Sequence, residues 1–212
     1  MAQAKICGLS TPETVAAALE GRAAYVGFNF FQKSPRYVTP QTAGRLAAAA
    51  RGKTRIVAVT VDPSDALLRD ITEMLKPDFI QLHGRETPAR VREAAMRTGA
   101  GTIKVIQIGD ENDLGKLAEF EGVADHLMLD TKAPPGADRP GGHGLAFDWS
   151  LTAGRKFARP WLLAGGLDPY NVTEAVRLSG APIVDVSSGV ERGAGLKDPA
   201  LIAAFLAAAA RA

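Results

Sequence analysis

Residues 5–21, KICGLSTPETVAAALEG, contain one complete unit of the fold: a short apolar strand, a turn and a helix. Thr11 stands directly before Pro12. A threonine in that place accepts a hydrogen bond from a free N–H of the first helical turn, and proline suits the first helical position because it has no N–H to leave unpaired. Gly21 follows the last helical residue, where a left-handed cap favours glycine. This stretch therefore predicts a strand followed by a helix.

The same unit recurs along the chain. Eight short apolar runs, rich in Val, Ile and Phe, are separated by Ala-, Glu- and Arg-rich stretches with helical spacing. The runs are KICG from Lys5, AYVGFNF from Ala24, RIVAVTV from Arg55, FIQLHG from Phe79, TIKVIQI from Thr102, HLMLDT from His126, WLLAGG from Trp161 and IVDVSSG from Ile183. This alternation predicts parallel strands connected by helices.

Helix starts and ends are marked with the same regularity. A Thr-Pro or Asp-Pro pair precedes a helical stretch at Thr11, Thr39, Asp62, Thr87, Asp168 and Asp198, and glycines end such stretches at Gly21, Gly52, Gly99 and Gly180. No change of composition divides the chain. We therefore expect one α/β domain over residues 1–212, a (β/α)₈ TIM barrel, with an open doubly wound sheet as the alternative.

Composition limits the classes of partner and site. The 25 basic and 23 acidic residues nearly balance, which does not indicate nucleic acid. One cysteine and three histidines rule out a disulfide framework and a multi-cysteine zinc site, so no metal is expected. The amino terminus lacks a signal-like apolar segment, and no stretch is long enough to cross a membrane. We expect a cytoplasmic protein without a membrane partner and, since the pattern shows no obvious apolar patch, a monomer.

Barrels of this kind hold their chemistry at the carboxyl ends of the strands. Cys7, His83 and Asp130 stand at such ends, and Arg36 lies in the long loop after the second strand. Alternation along a strand puts Lys5 on the same face as Cys7, and Asp185 on the same face as Ser187. The first and eighth strands are neighbours in a closed barrel, and a buried unpaired charge is costly. The sequence therefore predicts an ion pair between Lys5 and Asp185.

Two glycine-containing stretches, LAGGLDPYNV and VSSGVERGAG, follow the seventh and eighth strands. Phosphate-binding barrels use backbone N–H groups at this place, so we expect a small phosphorylated substrate there. The alternative is that these glycines only form tight turns. The Pro- and Gly-rich stretch KAPPGADRPGGHGLAF, residues 132–147, is long for a connecting loop and follows Asp130, which predicts a lid.

Taken together, KICG, VGFNFFQKSPRYV, QLHG, LMLDTK, GLAFDWS, LAGGLDPYNV and VDVSSGVE resemble the phosphoribosylanthranilate isomerases across nearly the whole chain. The resemblance implies an Amadori rearrangement of N-(5-phosphoribosyl)anthranilate in tryptophan biosynthesis, with no cofactor. It implies that Cys7 is the general base at ribose C2 and Asp130 the general acid at the ring oxygen, and that Arg36 holds the anthranilate carboxylate. Backbone groups of Gly165, Gly166, Ser188 and Gly189 would hold the phosphate, and His83 and Asp185 would support substrate binding.

Three positions depart from the family pattern: Asn29, Gln32 and His143. Alternatives remain for the proposed residues. Cys7 could be a small buried apolar side chain, Asp130 a helix cap or structural ion pair, and Arg36 a solvated loop charge. Two other functions also remain open: a different phosphate-binding isomerase or epimerase, and a barrel that binds an anionic ligand without turnover.

Overall fold

The computed structural model describes residues 1–134, 136–137, 140–142 and 144–212. Eight parallel strands form one closed barrel in chain order, and the last strand pairs with the first. The predicted barrel is confirmed, and closure excludes the open sheet. The strands are β1 (Gln3–Cys7), β2 (Tyr25–Asn29), β3 (Arg55–Thr60), β4 (Phe79–Leu82), β5 (Gly101–Ile108), β6 (His126–Thr131), β7 (Trp161–Leu163) and β8 (Ile183–Val186).

Helices cover the outside of the barrel. They are α1 (Pro12–Glu20), α2 (Pro40–Ala47), α3 (Asp65–Met74), α4 (Pro88–Thr98), α5 (Leu117–Phe120), α6 (Val172–Ser179) and α7 (Pro199–Ala209). Short 3-10 helices occupy Glu111–Lys116, Trp149–Thr152 and Ser188–Val190. Two further strands, β9 (Glu191–Gly193) and β10 (Leu196–Lys197), form an antiparallel hairpin after β8. No helix within the described ranges is long and apolar enough to span a membrane.

Four of the six predicted Thr-Pro and Asp-Pro caps are confirmed. Thr11, Thr39, Thr87 and Asp198 each accept a hydrogen bond from the first helical turn, and a proline follows each of them. Each of these four helices begins at the proline that follows the capping residue. Local chemistry therefore sets where these helices begin.

The predicted caps at Asp62 and Asp168 are wrong. Ser64 caps α3, while Asp62 accepts a hydrogen bond from the N–H of Arg85 in a neighbouring loop. Asp168 accepts from the N–H groups of Tyr170 and Asn171 and so forms a turn before α6 begins. In both places the aspartate side chain bonds a loop instead of a helix end.

The glycine caps are confirmed in part. Gly99 and Gly180 end α4 and α6 in the left-handed conformation, with φ of 65° and 70°. Gly21 caps α1 at φ −75°, so no left-handed cap forms there. Gly52 has φ 73° but lies beyond the end of α2, which stops at Ala47.

Alternation along the strands divides the core into two layers. The side chains that face into the barrel form one apolar cluster, which includes Cys7, Val57, Val105, Met128 and Leu162. The alternate residues pack outward against the helices in a larger second cluster. Polar residues on the inward face near the ends of the strands, such as Cys7 and Gln81, therefore face the interior of the barrel.

Candidate active site

A single cavity at the carboxyl-terminal end of the barrel collects nearly all the predicted site residues. The predicted residues that line it are Cys7, Arg36, His83, Asp130, Gly165, Gly166, Asp185 and Ser188. Gly189 is the exception, because it packs behind the cavity wall against the carbonyl of Leu167. Residues from the ends of six strands or their following loops thus converge on one space.

Cys7 lies beside a buried ion pair. The Nζ of Lys5 is 2.7 Å from Oδ1 of Asp185, so the predicted pair between β1 and β8 is confirmed. Burial alone would lower the pKa of Lys5, but Asp185 raises it above its ordinary value, and Lys5 stays an ammonium.

The Cys7 thiol is buried, and burial raises its pKa. The charge of Lys5 opposes this shift and the charge of Asp185 adds to it, while Lys197 favours the thiolate from a third side. The net pKa stays above that of a free thiol. The thiolate therefore forms more readily as the pH rises, and its stability depends on the balance of three charged neighbours.

Asp130 ends β6 and points into the cavity. Its Oδ1 accepts a hydrogen bond of 2.8 Å from the N–H of Thr131. Its Oδ2 lies 3.1 Å from Nε2 of His83, outside the alignment of a hydrogen bond. Asp130 does not cap a helix, and its carboxyl group is 10% exposed. One carboxyl oxygen is therefore available on the cavity side.

Part of the predicted lid covers this cavity. The carbonyl of Pro140 accepts a hydrogen bond of 2.6 Å from Nε2 of Gln107 on β5. Gly141 lies against Asp130 and His83, and a Cβ at Gly141 would come within 2.8 Å of Oδ2 of Asp130. A larger residue here would displace the Asp130 carboxyl group or the His83 ring. Of the three departures from the family pattern, His143 belongs to this loop and lies outside the described residues.

Arg36 is buried, with 5% exposure, so the alternative of a solvated loop charge is wrong. Its Nε and Nη2 donate hydrogen bonds of 2.6 and 2.8 Å to the two carboxylate oxygens of Glu191 on β9. Lys197 on β10 donates to the same carboxylate. Burial alone would raise the pKa of Glu191, but the hydrogen bond from Arg36 and the charge of Lys197 lower it, so Glu191 is ionised. Glu191 and Lys197 were not predicted as site residues.

The loops after β7 and β8 carry backbone N–H groups at the cavity wall. Gly165 and Gly166 have φ of 90° and 65°, a left-handed conformation that other residues adopt only with strain. Among the described residues, no backbone carbonyl accepts from the N–H of Gly165, Gly166, Ser188 or Gly189. Unpaired N–H groups of successive residues form a concave site that suits an anion.

Two further polar atoms face the cavity without a partner among the described residues. They are Oε1 of Gln81 and Oγ1 of Thr131, both buried. Buried polar atoms normally make hydrogen bonds, so unsatisfied ones in a cavity suit a polar ligand. Gln81 shares the inward face of β4 with His83, and alternation could have identified it.

The remaining departures lie at the β2 end. The Oδ1 of Asn29 accepts a hydrogen bond of 2.9 Å from the N–H of Phe31, and Asn29 lines the cavity. Gln32 is exposed. Within the described ranges, no three His, Cys, Asp or Glu side chains gather as a metal-binding group.

Comparison with known proteins agrees across the full length of the chain. Residues 4–208 match the family described as N-(5′-phosphoribosyl)anthranilate isomerase. The protein of that name from Caulobacter vibrioides is 59% identical over 210 residues, which cover 99% of this chain and 96% of the relative. The corresponding protein of Caulobacter sp. strain K31 is 58% identical, and all of both chains is covered.

Solved structures extend the similarity to the fold. The crystal structure of phosphoribosyl anthranilate isomerase from Thermotoga maritima has a TM-score of 0.89 and 32% identity, with both chains fully covered. A phosphoribosyl anthranilate isomerase in complex with reduced 1-(o-carboxyphenylamino)-1-deoxyribulose 5-phosphate has a TM-score of 0.86 and 31% identity, again with both chains fully covered. With a closed eight-stranded barrel and matches of this length, the chain belongs to the N-(5′-phosphoribosyl)anthranilate isomerase family, a family of enzymes.

Proposed function

We propose that this barrel converts N-(5-phosphoribosyl)anthranilate to 1-(2-carboxyphenylamino)-1-deoxyribulose 5-phosphate by an Amadori rearrangement, as a step of tryptophan biosynthesis. The observation that carries the proposal is that Cys7 and Asp130 face one cavity, whose walls also hold Arg36 and the unpaired N–H groups after β7 and β8. A base, an acid, a carboxylate partner and an anion site are the four elements that this substrate requires.

Asp130 acts as the general acid. It gives its proton to the furanose ring oxygen, the bond from that oxygen to C1 breaks, and the nitrogen lone pair forms a C1–N double bond. Such a proton transfer requires a carboxyl group that is protonated and close to the oxygen. The position of Asp130 supports this role, because its side chain is buried under Gly141 and lines the cavity in which the sugar would lie. His83 stands beside it as a positioning residue.

Cys7 acts as the general base. Its thiolate takes the proton from C2 of the opened intermediate, and the electron pair left behind forms the C1–C2 double bond of an enolamine. The enolamine becomes the ketose when C1 gains a proton and the C2 hydroxyl loses its own. Only the thiolate can accept the proton, so Lys5 and Lys197 assist and Asp185 opposes ionisation. Asp185 also holds the Lys5 ammonium in place at 2.7 Å.

The two charged ends of the substrate meet different groups of residues that line the cavity. The phosphate is held by backbone groups of Gly165, Gly166, Ser188 and Gly189, since unpaired N–H groups at the ends of β7 and β8 match phosphate oxygens. Gly189 packs against Leu167 and does not line the cavity, so the larger part of this proposed site is formed by Gly165, Gly166 and Ser188. Arg36 receives the anthranilate carboxylate, for which its planar guanidinium is suited.

The test is turnover of freshly prepared N-(5-phosphoribosyl)anthranilate, followed by the loss of anthranilate fluorescence. We expect Cys7→Ser and Asp130→Asn each to lower kcat by about 10²–10⁴-fold with little change in KM, because each removes a proton-transfer group and leaves the binding groups in place. Asp70→Asn, at an exposed position on α3, is the matched control and should retain full activity.

Two outcomes would contradict the proposal. A wild-type protein that binds the substrate without turning it over would leave a binding protein in place of an enzyme. Wild-type activity that survives either substitution within about tenfold would remove that residue from its assigned role.

A further inference from the structure

Glu191 is the centre of a buried group of charges beside the cavity. Its two carboxylate oxygens accept hydrogen bonds from Nε and Nη2 of Arg36, from Nζ of Lys197 at 2.8 Å and from the N–H of Gly195 at 3.1 Å. The side chains of Arg36, Glu191 and Lys197 are 5%, 4% and 0% exposed. With both carboxylate oxygens engaged and a side chain that is almost fully buried, Glu191 has little freedom to move.

Lys197 connects this group to the loop that follows β8. Besides Glu191, its ammonium donates to the carbonyl of Ser187 at 2.7 Å and lies 3.3 Å from the hydroxyl of the same residue. Ser187 directly precedes Ser188 in the loop after β8. The buried Lys197 therefore links Glu191, which binds Arg36, to the loop that we assign to the phosphate.

The contact with Glu191 determines which part of Arg36 faces the cavity. A guanidinium has two edges that can bind a carboxylate with two parallel hydrogen bonds, one formed by Nε and Nη2 and the other by Nη1 and Nη2. Glu191 occupies the first edge. Nη1 donates to no residue in the described part of the chain and lies beside Gly142, where a Cβ would come within 2.8 Å of it. The second edge is thus directed to the space between barrel and lid.

The aliphatic part of the Arg36 side chain is also held in place, by packing against Gly8. A Cβ at Gly8, which has φ of 78°, would come within 2.6 Å of Cδ of Arg36. Glycine at this position leaves room for the arginine to pass over the end of β1. The guanidinium cannot reorient without losing its hydrogen bonds to Glu191 and the packing of its side chain over Gly8.

The charges of the group also favour one further anion. Arg36 and Lys197 are cations and Glu191 is an anion, so the group carries one net positive charge in a buried place. A single carboxylate on the free edge would balance that charge. A neutral group in the same position would leave it unbalanced, which is costly away from water.

We propose that Glu191, supported by Lys197, is a positioning residue that presents the Nη1–Nη2 edge of Arg36 and thereby selects an aryl group carrying a carboxylate. This inference rests on the proposed function and assigns its selectivity to a residue that does not touch the substrate. Glu191 acts through Arg36, so its removal affects a substrate with a carboxylate and spares one without it.

Two unreactive ligands separate these cases. One is reduced 1-(o-carboxyphenylamino)-1-deoxyribulose 5-phosphate, and the other is the same compound with a phenyl ring that lacks the carboxyl group. Titration calorimetry of the full chain measures both affinities for wild type and for Glu191→Gln, which keeps the size of the side chain and removes its charge. We expect the substitution to weaken binding of the carboxylated ligand by about 10- to 100-fold and to leave the other unchanged.

The matched control is Glu93→Gln on the exposed surface of α4. Glu93 also pairs with two cations, Arg90 and Arg97, but lies away from the cavity. It should change neither affinity. Glu191→Asp keeps the charge with a shorter side chain, and we expect a selective loss smaller than that of Glu191→Gln. This second variant decides the matter if Glu191→Gln fails to fold.

Equal weakening of both ligands, or no weakening of either, would overturn the inference. Turnover of N-(5-phosphoribosyl)anthranilate by the wild type, measured beside the titrations, separates this failure from that of the proposed function. An active wild type with equal losses would remove the role of Glu191 alone. A wild type that binds neither ligand and shows no turnover would overturn both.

Discussion

At the amino-terminal end of the strands, ring side chains (phenyl, phenol and imidazole) fill the barrel interior. At the carboxyl-terminal end, charged side chains line it. The rings of Phe79 and His126 meet edge to face at 4.9 Å, and Tyr25 lies 6.0 Å from Phe79. Arg55 lies over the Tyr25 ring and donates to its hydroxyl at 3.0 Å. These side chains stand on the same inward face as the site residues, but close the opposite end.

The carboxyl-terminal end contains charges that are held chiefly by one another. Lys5 pairs with Asp185, and Arg36 and Lys197 share Glu191. Buried ion pairs gain little stability over apolar packing, because each charge loses its water. We therefore expect the ring-filled end to serve mainly the stability of the barrel, and the charged end mainly the proposed chemistry.

The largest expected effect that would test this division is on stability. Tyr25→Ala removes a ring that is 1% exposed and leaves a cavity beside Phe79 and His126. We expect it to lower the free energy of unfolding by about 3 kcal/mol or more, with kcat/KM of the folded protein unchanged. Urea denaturation and the fluorescence assay measure the two quantities. Tyr25→Phe keeps the ring and should lose much less stability, and a fall in kcat/KM of folded Tyr25→Ala would contradict the division.

An intermediate effect is expected at the charged end, in the pH dependence of kcat/KM. The charged groups that face Cys7 are Lys5, Asp185 and Lys197, and Asp185 is the one that disfavours the thiolate. Asp185→Asn removes that charge, and the loss of this repulsion lowers the pKa of Cys7. The rise of kcat/KM with pH should therefore shift to lower pH.

Lys5→Met is the opposite control for this shift. It removes a charge that favours the thiolate, so the rise should move to higher pH. If neither substitution moves the profile, ionisation of Cys7 does not limit the reaction.

The smallest effect concerns the ring-filled end in acid. Burial lowers the pKa of His126, which Asp125 opposes and Arg55 reinforces. A histidine with a lowered folded pKa is neutral above the unfolded value of about 6.5, and it destabilises the fold as the pH falls through that value. We expect the free energy of unfolding to decrease between about pH 7 and 5, and His126→Phe to reduce that decrease. An identical pH dependence in wild type and variant would show that His126 contributes nothing to it.

Local rules and alternation predicted much of this arrangement. The Lys5–Asp185 pair followed from two facts that sequence contains, the period of a strand and the adjacency of first and last strands in a closed barrel. The caps at Thr11 and Thr87 followed from their own neighbours. Asp62 failed as a cap because its partner, the N–H of Arg85, lies 23 residues away.

The contact between Glu191 and Arg36 could not be predicted from the sequence, for the same reason. Glu191 stands in the quoted motif VDVSSGVE, but its contact with Arg36 spans 155 residues. It forms because the β9–β10 hairpin folds back over the loop after β2, and neither segment has a periodic pattern that reveals the meeting. Gln81 is a different case, since its inward face was available from alternation with His83.

The unpaired backbone N–H groups after β7 and β8 have a consequence for how such a protein can diverge. Every residue except proline supplies a backbone N–H. Most substitutions in these loops therefore keep the N–H groups of the proposed phosphate-binding site, provided that the left-handed glycines at 165 and 166 remain. The aryl end depends instead on one edge of one side chain. Selection for a new aminosugar would therefore alter the loop after β2 and the β9–β10 hairpin, while the requirement for a phosphate is inherited unchanged.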